Sequence, residues 1–368
     1  MTKNKPGYKK DVAFINRKKE LKYLRDYIDI RPESILVIHG PKSSGKTTLL
    51  YKFREQMGKE QKPDIKFLNL RERLIGNYKN FIRALFGVNY IRTEENLGVD
   101  GINESRLVNF PELSEEVMGK LKNGELSPFD IMIREFIQLN EIEIKPVMII
   151  DELNAIQDIF MENRKEKRLI TELLNFLVAV TNKSHLAHVI ISSSNLDFLN
   201  NPDIDPKLRK SLLFYKVDYL PKEDVMEWLL NLEKYSKITD YTLTKEEAVK
   251  IWDTVGGSMW EIQDLLNQLF DNPLEDVLTL HKKKMKGIIS FYIGADDKKE
   301  KILRLFLKKD RADIRDFVKE GLDKDEVENL LRDIVRNNIL YFDPVDALYY
   351  PQAPSYQWGI KLHFESLT

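Results

Sequence analysis

Short runs of apolar residues recur along the first two-thirds of the chain: Ser34 to His39, Ile65 to Leu70, Val147 to Ile150, His188 to Ser192 and Leu213 to Val217. Runs of this length without polar alternation mark strands buried on both faces of a parallel sheet. Helical spacing fills the gaps between them. Lys46 to about Met57 predicts one helix. Arg164 to Thr181 predicts another, with Leu169, Ile170, Leu173, Leu174, Leu177 and Val178 on one face. Strands alternating with helices predict an α/β fold whose parallel sheet is covered on both faces.

Gly76 to Asn140 interrupts this alternation and reads as a helical insertion, about residues 76–140, between the second and third strands. From Lys222 to about Phe291 the pattern is purely helical. Helices are expected to begin near Pro221, at Thr244 with Glu247 completing a capping box, and after Gly256-Gly257. From Lys298 three helices precede short β-like segments at Ile339 to Tyr341 and Leu348 to Tyr350, the order of a winged helix. The expected domains are therefore residues 1–220, 221–296 and 297–368. The chain has no internal repeat and no low-complexity segment.

Composition adds exclusions. A chain of 368 residues with 42% apolar content supports more than one core. No apolar stretch is long enough for a bilayer, and Met1-Thr2-Lys3-Asn4-Lys5 runs into Pro6-Gly7 without an apolar segment, unlike a signal peptide. A cytoplasmic protein with no membrane partner is expected. The absence of cysteine excludes disulfides, thiolate metal sites and a cysteine nucleophile. Charged residues form 32% of the chain, yet 58 basic and 59 acidic side chains nearly cancel. Such dense, balanced charge suggests a thermophilic source, and it lacks the basic excess of a dedicated nucleic-acid binder.

The sharpest chemical signal follows the first strand: Gly40-Pro41-Lys42-Ser43-Ser44-Gly45-Lys46-Thr47, with Thr48 next. Glycines let the backbone curl so that its N–H groups face phosphate oxygens, and the following helix adds its positive end. Lys46 neutralises outer phosphates and Thr47 offers a hydroxyl to Mg²⁺. ATP with Mg²⁺ is the expected ligand. The third strand ends in Asp151-Glu152. Asp151 is expected to hold the metal through water, and Glu152 to act as general base. After the fourth strand, Asn195 is the first choice for a polar group reaching the γ-phosphate, and Ser193 or Ser194 the second; these residue types also suit a plain turn. Arg209, in Asp205-Pro206-Lys207-Leu208-Arg209-Lys210, suits either an arginine reaching the nucleotide of an adjacent subunit or a solvated basic turn.

Phe14-Ile15-Asn16-Arg17-Lys18-Lys19-Glu20-Leu21, the glycine loop, Ile149-Ile150-Asp151-Glu152-Leu153 and the Ser192-Ser193-Ser194-Asn195 strand end together resemble the archaeal ATPase family of the AAA+ superfamily, near the signal-transducing STAND ATPases. Asn195 to Leu220 and the C-terminal segment are also similar to the origin-recognition initiator branch. The resemblance implies a P-loop, AAA+-like parallel five-stranded sheet in the order 5-1-4-3-2, a helical lid and a C-terminal winged-helix domain. It implies that the segment from Phe14 to Arg17 helps to enclose the adenine. Two departures stand out. Where the family has Gly-Gly-x-Pro in the lid, this chain has Gly256-Gly257-Ser258-Met259, and Trp260 stands where initiators carry an arginine.

The tail, Lys298 to Thr368, carries 13 basic and 13 acidic residues. Its expected recognition helix, Asp323 to Asp333, is acidic at the end that normally meets base edges, which opposes binding to phosphates. Against this stand the run His281-Lys282-Lys283-Lys284-Met285-Lys286 and the expected wing aromatics Tyr349, Tyr350, Tyr356 and Trp358. The sequence therefore points to an ATP/ADP switch with a protein partner or self-association as its output. Its rivals are an initiator-like DNA-binding ATPase and a scaffold in which nucleotide is structural.

Overall fold

The computed structural model describes residues 14–58, 63–72, 75–86, 110, 113–162, 164–196 and 206–366. Asp205 and the start of its basic turn lie outside them. The chain divides into two compact units. One comprises Lys18–His39 and Lys46–Lys216, and the other Met1–Arg17, Gly40–Gly45 and Val217–Thr368.

The first unit is built on α1 (Lys18–Asp29), β1 (Ile35–His39), α2 (Lys46–Met57), β2 (Pro63–Asn69), α3 (Tyr78–Phe86), α4 (Glu115–Lys122), α5 (Pro128–Glu141), β3 (Lys145–Asp151), β4 (Phe160–Met161), β5 (Arg164–Arg168), α6 (Leu169–Val178), β6 (His188–Ser192), α7 (Pro206–Lys210) and β7 (Leu212–Lys216). The sheet runs β2-β3-β6-β1-β7, every pair parallel. Counting sheet strands alone, this is the order 5-1-4-3-2. Ile35 to Ile38, Val147 to Ile150 and Val189 to Ile191 are all buried, which accounts for their unbroken apolar sequence.

The described helices of the insertion join this core. Phe81 and Ile82 of α3, Leu121 of α4 and Met132 and Phe136 of α5 lie in one cluster with Met148 and Ile150 of β3. Buried Lys66 on β2 lies 3.0 Å from Glu135 of α5 and 3.3 Å from Asp64, which compensates its charge. One expectation is corrected. The helix predicted from Arg164 begins only at Leu169. Arg164–Arg168 is instead the second strand of a short antiparallel hairpin with Phe160–Met161. Five consecutive charged residues offer a helix no apolar face to bury, so it starts at the first apolar pair, Leu169-Ile170. At its far end α6 widens into a π-turn at Ala179–Lys183.

The second unit holds α8 (Lys222–Leu229), α9 (Leu232–Ser236), α10 (Lys245–Val255), α11 (Met259–Gln268), α12 (Leu274–Ile293), α13 (Asp297–Arg304), α14 (Ile314–Lys319), α15 (Lys324–Arg336), β8 (Leu340–Asp343), β9 (Leu348–Pro351) and α16 (Pro354–Glu365). The expected capping box opens α10, with Thr244 and Glu247 bonded in both directions. The 20 residues of α12 serve two cores. Val277 and Leu278 pack with Trp228, Ile251 and Leu265, whereas Ile289 and Ile293 pack with Phe306, Phe317 and Leu331. Helix α16 was not foreseen. Tyr356 and Trp358, expected in a wing, lie on it, because Pro354 suits a first helical turn and Ile360 and Phe364 bury on one side. No helix among the described residues is long and apolar enough to cross a membrane.

Two histidines make stability sensitive to acid. His188 on β6 is buried, bonds the Ile30 carbonyl through Nε2 at 2.8 Å, and leaves Nδ1 without a partner among the described residues. Burial lowers its pKa from 6.5, and burial does the same to His363 of α16. The unfolded chain therefore takes up protons at higher pH than the folded one. The stability held in the neutral rings is complete above about pH 6.5 and is lost as pH falls through the depressed folded values. Urea midpoints are expected to fall between about pH 7.5 and pH 5.5, and His188→Gln to flatten that decline. Parallel pH profiles for the two proteins would contradict the assignment to His188.

Candidate functional site

β1 hands the chain to the loop Gly40–Gly45, and α2 starts immediately after it at Lys46. Three loop residues have positive φ: Gly40 at 150°, Ser43 at 63° and Gly45 at 90°. At Gly40 a Cβ would sit 2.1 Å from the Val217 carbonyl oxygen, so only glycine allows this approach. Within the loop Ser44 N–H donates to Pro41 O at 3.3 Å. Arg17, 8% exposed, donates from Nη2 to Ser44 O at 2.9 Å and to Asp218 O at 2.6 Å. Its guanidinium thus braces the loop backbone, and Asn16 and Arg17 both take positive φ, 53° and 64°, to deliver it. Tyr219 places its hydroxyl 2.9 Å from Lys42 O. Met259 brings its sulfur within 3.9 Å of where a Gly45 Cβ would stand, while Trp260 beside it is 56% exposed.

Lys46, Thr47 and the two carboxylates belong to the first unit. Lys46 is buried at the start of α2. Thr47 Oγ1 donates to Asp151 Oδ2 at 2.6 Å. Asp151 is 1% exposed, and its Oδ1 has no hydrogen-bond partner among the described residues. Burial raises the pKa of this carboxyl, opposed by the hydroxyls of Thr47 and Ser192 and by the charges of Lys46 and Arg71. A buried carboxylate with one open oxygen beside a threonine hydroxyl is a donor set suited to a hard divalent cation. Glu152 takes a left-handed conformation, φ 60° and ψ 48°, and its N–H donates to Ser192 O at 2.8 Å. Its carboxylate lies 3.2 Å from the Arg71 guanidinium.

The remaining candidates separate. Ser193 is buried, receives the Asn195 N–H at 3.2 Å, and turns its hydroxyl toward Asn195 O at 2.6 Å and Asn154 Oδ1 at 3.2 Å. Its own N–H donates to Ile38 O at 3.2 Å, which ties this strand end to β1. Ser194 and Asn195 are half-buried. Thr48 lies exposed on α2, and Arg209 lies exposed on α7. Sequence reasoning missed Arg71 and Tyr219. Each sits just past a strand end, where no spacing rule singles out one polar residue from its neighbours.

A family of ATPase domains predominantly from Archaea matches residues 14–265. An uncharacterized ATP-binding protein of Pyrococcus abyssi is 32% identical over 357 residues, covering 96% of this chain and 98% of that relative. Another, from Methanocaldococcus jannaschii, is 28% identical over 367 residues, covering 95% and 94%. Among solved structures, the Walker-type ATPase of Pyrococcus abyssi matches with a TM-score of 0.64 at 14% identity, over 95% of this chain and 96% of that one. The ORC2 protein of Aeropyrum pernix matches with a TM-score of 0.51 at 12% identity, over 99% and 97%. At such identities the two structures speak to the fold alone, which is of the AAA+ ATPase type.

The two loop glycines carry different constraints, and substitution separates them. Gly45→Ala meets only the Met259 sulfur at an ordinary 3.9 Å contact and bears chiefly the left-handed backbone strain, an expected loss of ~1–2 kcal/mol. Gly40→Ala must also displace the Val217 carbonyl, with an expected loss of ~3 kcal/mol or more. Equal urea midpoints for the two variants would refute this seating of the loop.

Proposed function

The chain belongs to the family of ATPase domains found predominantly in Archaea, and from that footing we propose that it hydrolyses ATP as a molecular switch, its lid and winged-helix segments rearranging with nucleotide state. The observation that carries hydrolysis, as opposed to binding alone, is Glu152. It is a carboxylate 7% exposed, one residue beyond the Thr47–Asp151 hydrogen bond, held in a strained backbone conformation.

The loop N–H groups and the start of α2 meet the phosphates, and the Lys46 ammonium neutralises their outer charge. Thr47 and Asp151 are the residues that would hold Mg²⁺, which when bound offsets the charge that builds on the phosphate oxygens. The Glu152 carboxylate accepts a proton from water as the water oxygen bonds to the γ-phosphorus and the bond to the β-phosphate oxygen breaks, leaving ADP and phosphate. Arg71, 3.2 Å away, holds that carboxylate in place.

The output favoured is a protein contact. Three carboxylates of α15 are paired within the chain: Glu326 with Lys298, Glu328 with Lys324 and Arg332, Asp333 with Lys299. That helix therefore offers phosphates little. DNA binding keeps one specific support, the lysines of α12 and α16, since Lys282 and Lys361 lie 4.0 and 5.3 Å from the Trp358 ring centroid. Binding to duplex DNA that weakens steeply with salt would favour this second reading.

Two substitutions separate binding from chemistry. Lys46→Ala is expected to weaken ATP binding by about tenfold or more. Glu152→Gln is expected to bind ATP normally and to lose turnover by a factor of ~10²–10⁴. Steady-state phosphate release and equilibrium binding check both. Unchanged turnover in Glu152→Gln would sink the hydrolytic role.

A further inference from the structure

The peptide units on either side of Lys42 are gripped from outside the loop. Tyr219 places its hydroxyl 2.9 Å from Lys42 O and 2.9 Å from Gln352 O. A phenol has one proton, so it donates to one of these carbonyls at a time. Burial holds this phenol well above its usual pKa, so the proton stays. Gln352 follows β9 directly and is 5% exposed. With its amide oxygen toward the loop it accepts from Lys42 N–H at 2.5 Å, while its amide nitrogen donates to Leu340 O at 3.2 Å. The reversed amide would set donor against donor and acceptor against acceptor. Gln352 N–H donates to Ile339 O at 3.0 Å, so the β8–β9 hairpin fixes where this side chain stands.

In a trans peptide the C=O and the following N–H point in opposite directions. Holding Lys42 O from outside therefore turns the Ser43 N–H to the other face of the loop. Arg17 does the same for the Gly45 N–H by holding Ser44 O. Inward N–H groups are what a loop needs to receive phosphate oxygens. Ser43, at φ 63°, is strained, and a strained residue persists only where its surroundings hold it.

We propose that Gln352 and Tyr219 are positioning residues of the phosphate loop, through which the C-terminal hairpin sets the loop's affinity for nucleotide phosphates. The proposal rests on the reading of the loop as a nucleotide site. The single Tyr219 proton gives the coupling its form: when Gln352 O takes it, Lys42 O is released. Linkage is reciprocal, so a displacement of the hairpin weakens nucleotide binding, and bound nucleotide steadies the hairpin.

The test uses the full chain with Tyr219→Phe, Gln352→Met and Phe342→Ala. The last removes a ring tilted against Tyr349 inside the hairpin, 4.8 Å between centroids. Equilibrium titration with a fluorescent ADP analogue is expected to show Kd raised about three- to tenfold in each of the first two, the scale of one lost hydrogen bond. Phe342→Ala should stay within about twofold. KM for ATP should rise with Kd while kcat holds, since the loop grips phosphates before and during the reaction. ADP should slow amide exchange in β8–β9 of the wild type and fail to do so in Gln352→Met. Wild-type Kd in both Tyr219→Phe and Gln352→Met, or an equal loss in Phe342→Ala, overturns the proposal. The Kd arms need no turnover, so a chain that binds without hydrolysing sinks the hydrolytic reading alone.

Discussion

Ser192 lies opposite Ile38 on one side and opposite Asp151 on the other. That parallel register brings the carboxyl ends of β1, β3 and β6 to one edge of the sheet, where the chain leaves each strand with a different polar group. Thr47, at the start of the helix after β1, then finds Asp151 within a hydrogen bond. Glu152 finds the Ser192 carbonyl for its N–H, and Asn69 at the end of β2 stands opposite Asp151. The strands behind that edge are buried on both faces. Each fully buried Ile, Leu or Val contributes ~1.5–3 kcal/mol, which outweighs a left-handed Glu152 at ~1–3 kcal/mol. The strain sits where chemistry is expected because the sheet behind it is over-determined.

The phosphate loop depends on a second kind of support. Its inward N–H groups have direction only if its carbonyls are taken up elsewhere, which Arg17 and Tyr219 do from outside, while Gln352 accepts the Lys42 N–H. Gln352 comes from the far end of the chain, 310 residues beyond Lys42 in the numbering. The β8–β9 hairpin sets Gln352 against the loop backbone, and Glu326, Glu328 and Asp333 of α15 are paired within the chain.

Among the motifs, those that are local survived contact with the structure best. The loop, its flanking strand and helix, the capping box at Thr244 and the acidic end of β3 all depend on neighbours within a few residues, so spacing alone exposes them. The helix start at Leu169 was misjudged for a related reason. Charged residues tolerate a strand or a helix equally well, and only the absence of anything to bury decided against the helix at Arg164. Helix α16 went unseen because its apolar residues, Ile360 and Phe364, are few, and aromatic residues at its start mimic a wing.

Read alone, the 368 residues determined the α/β class and predicted a phosphate loop after β1 and two carboxylates after β3, because periodicity and short motifs record local geometry. Tertiary structure decided which polar residues brace that loop and clamp Glu152. Arg71, Tyr219 and Gln352 are ordinary in sequence and acquire their roles only when strands distant along the chain end side by side. A hydrogen bond between residues hundreds of positions apart leaves no period for a pattern to detect.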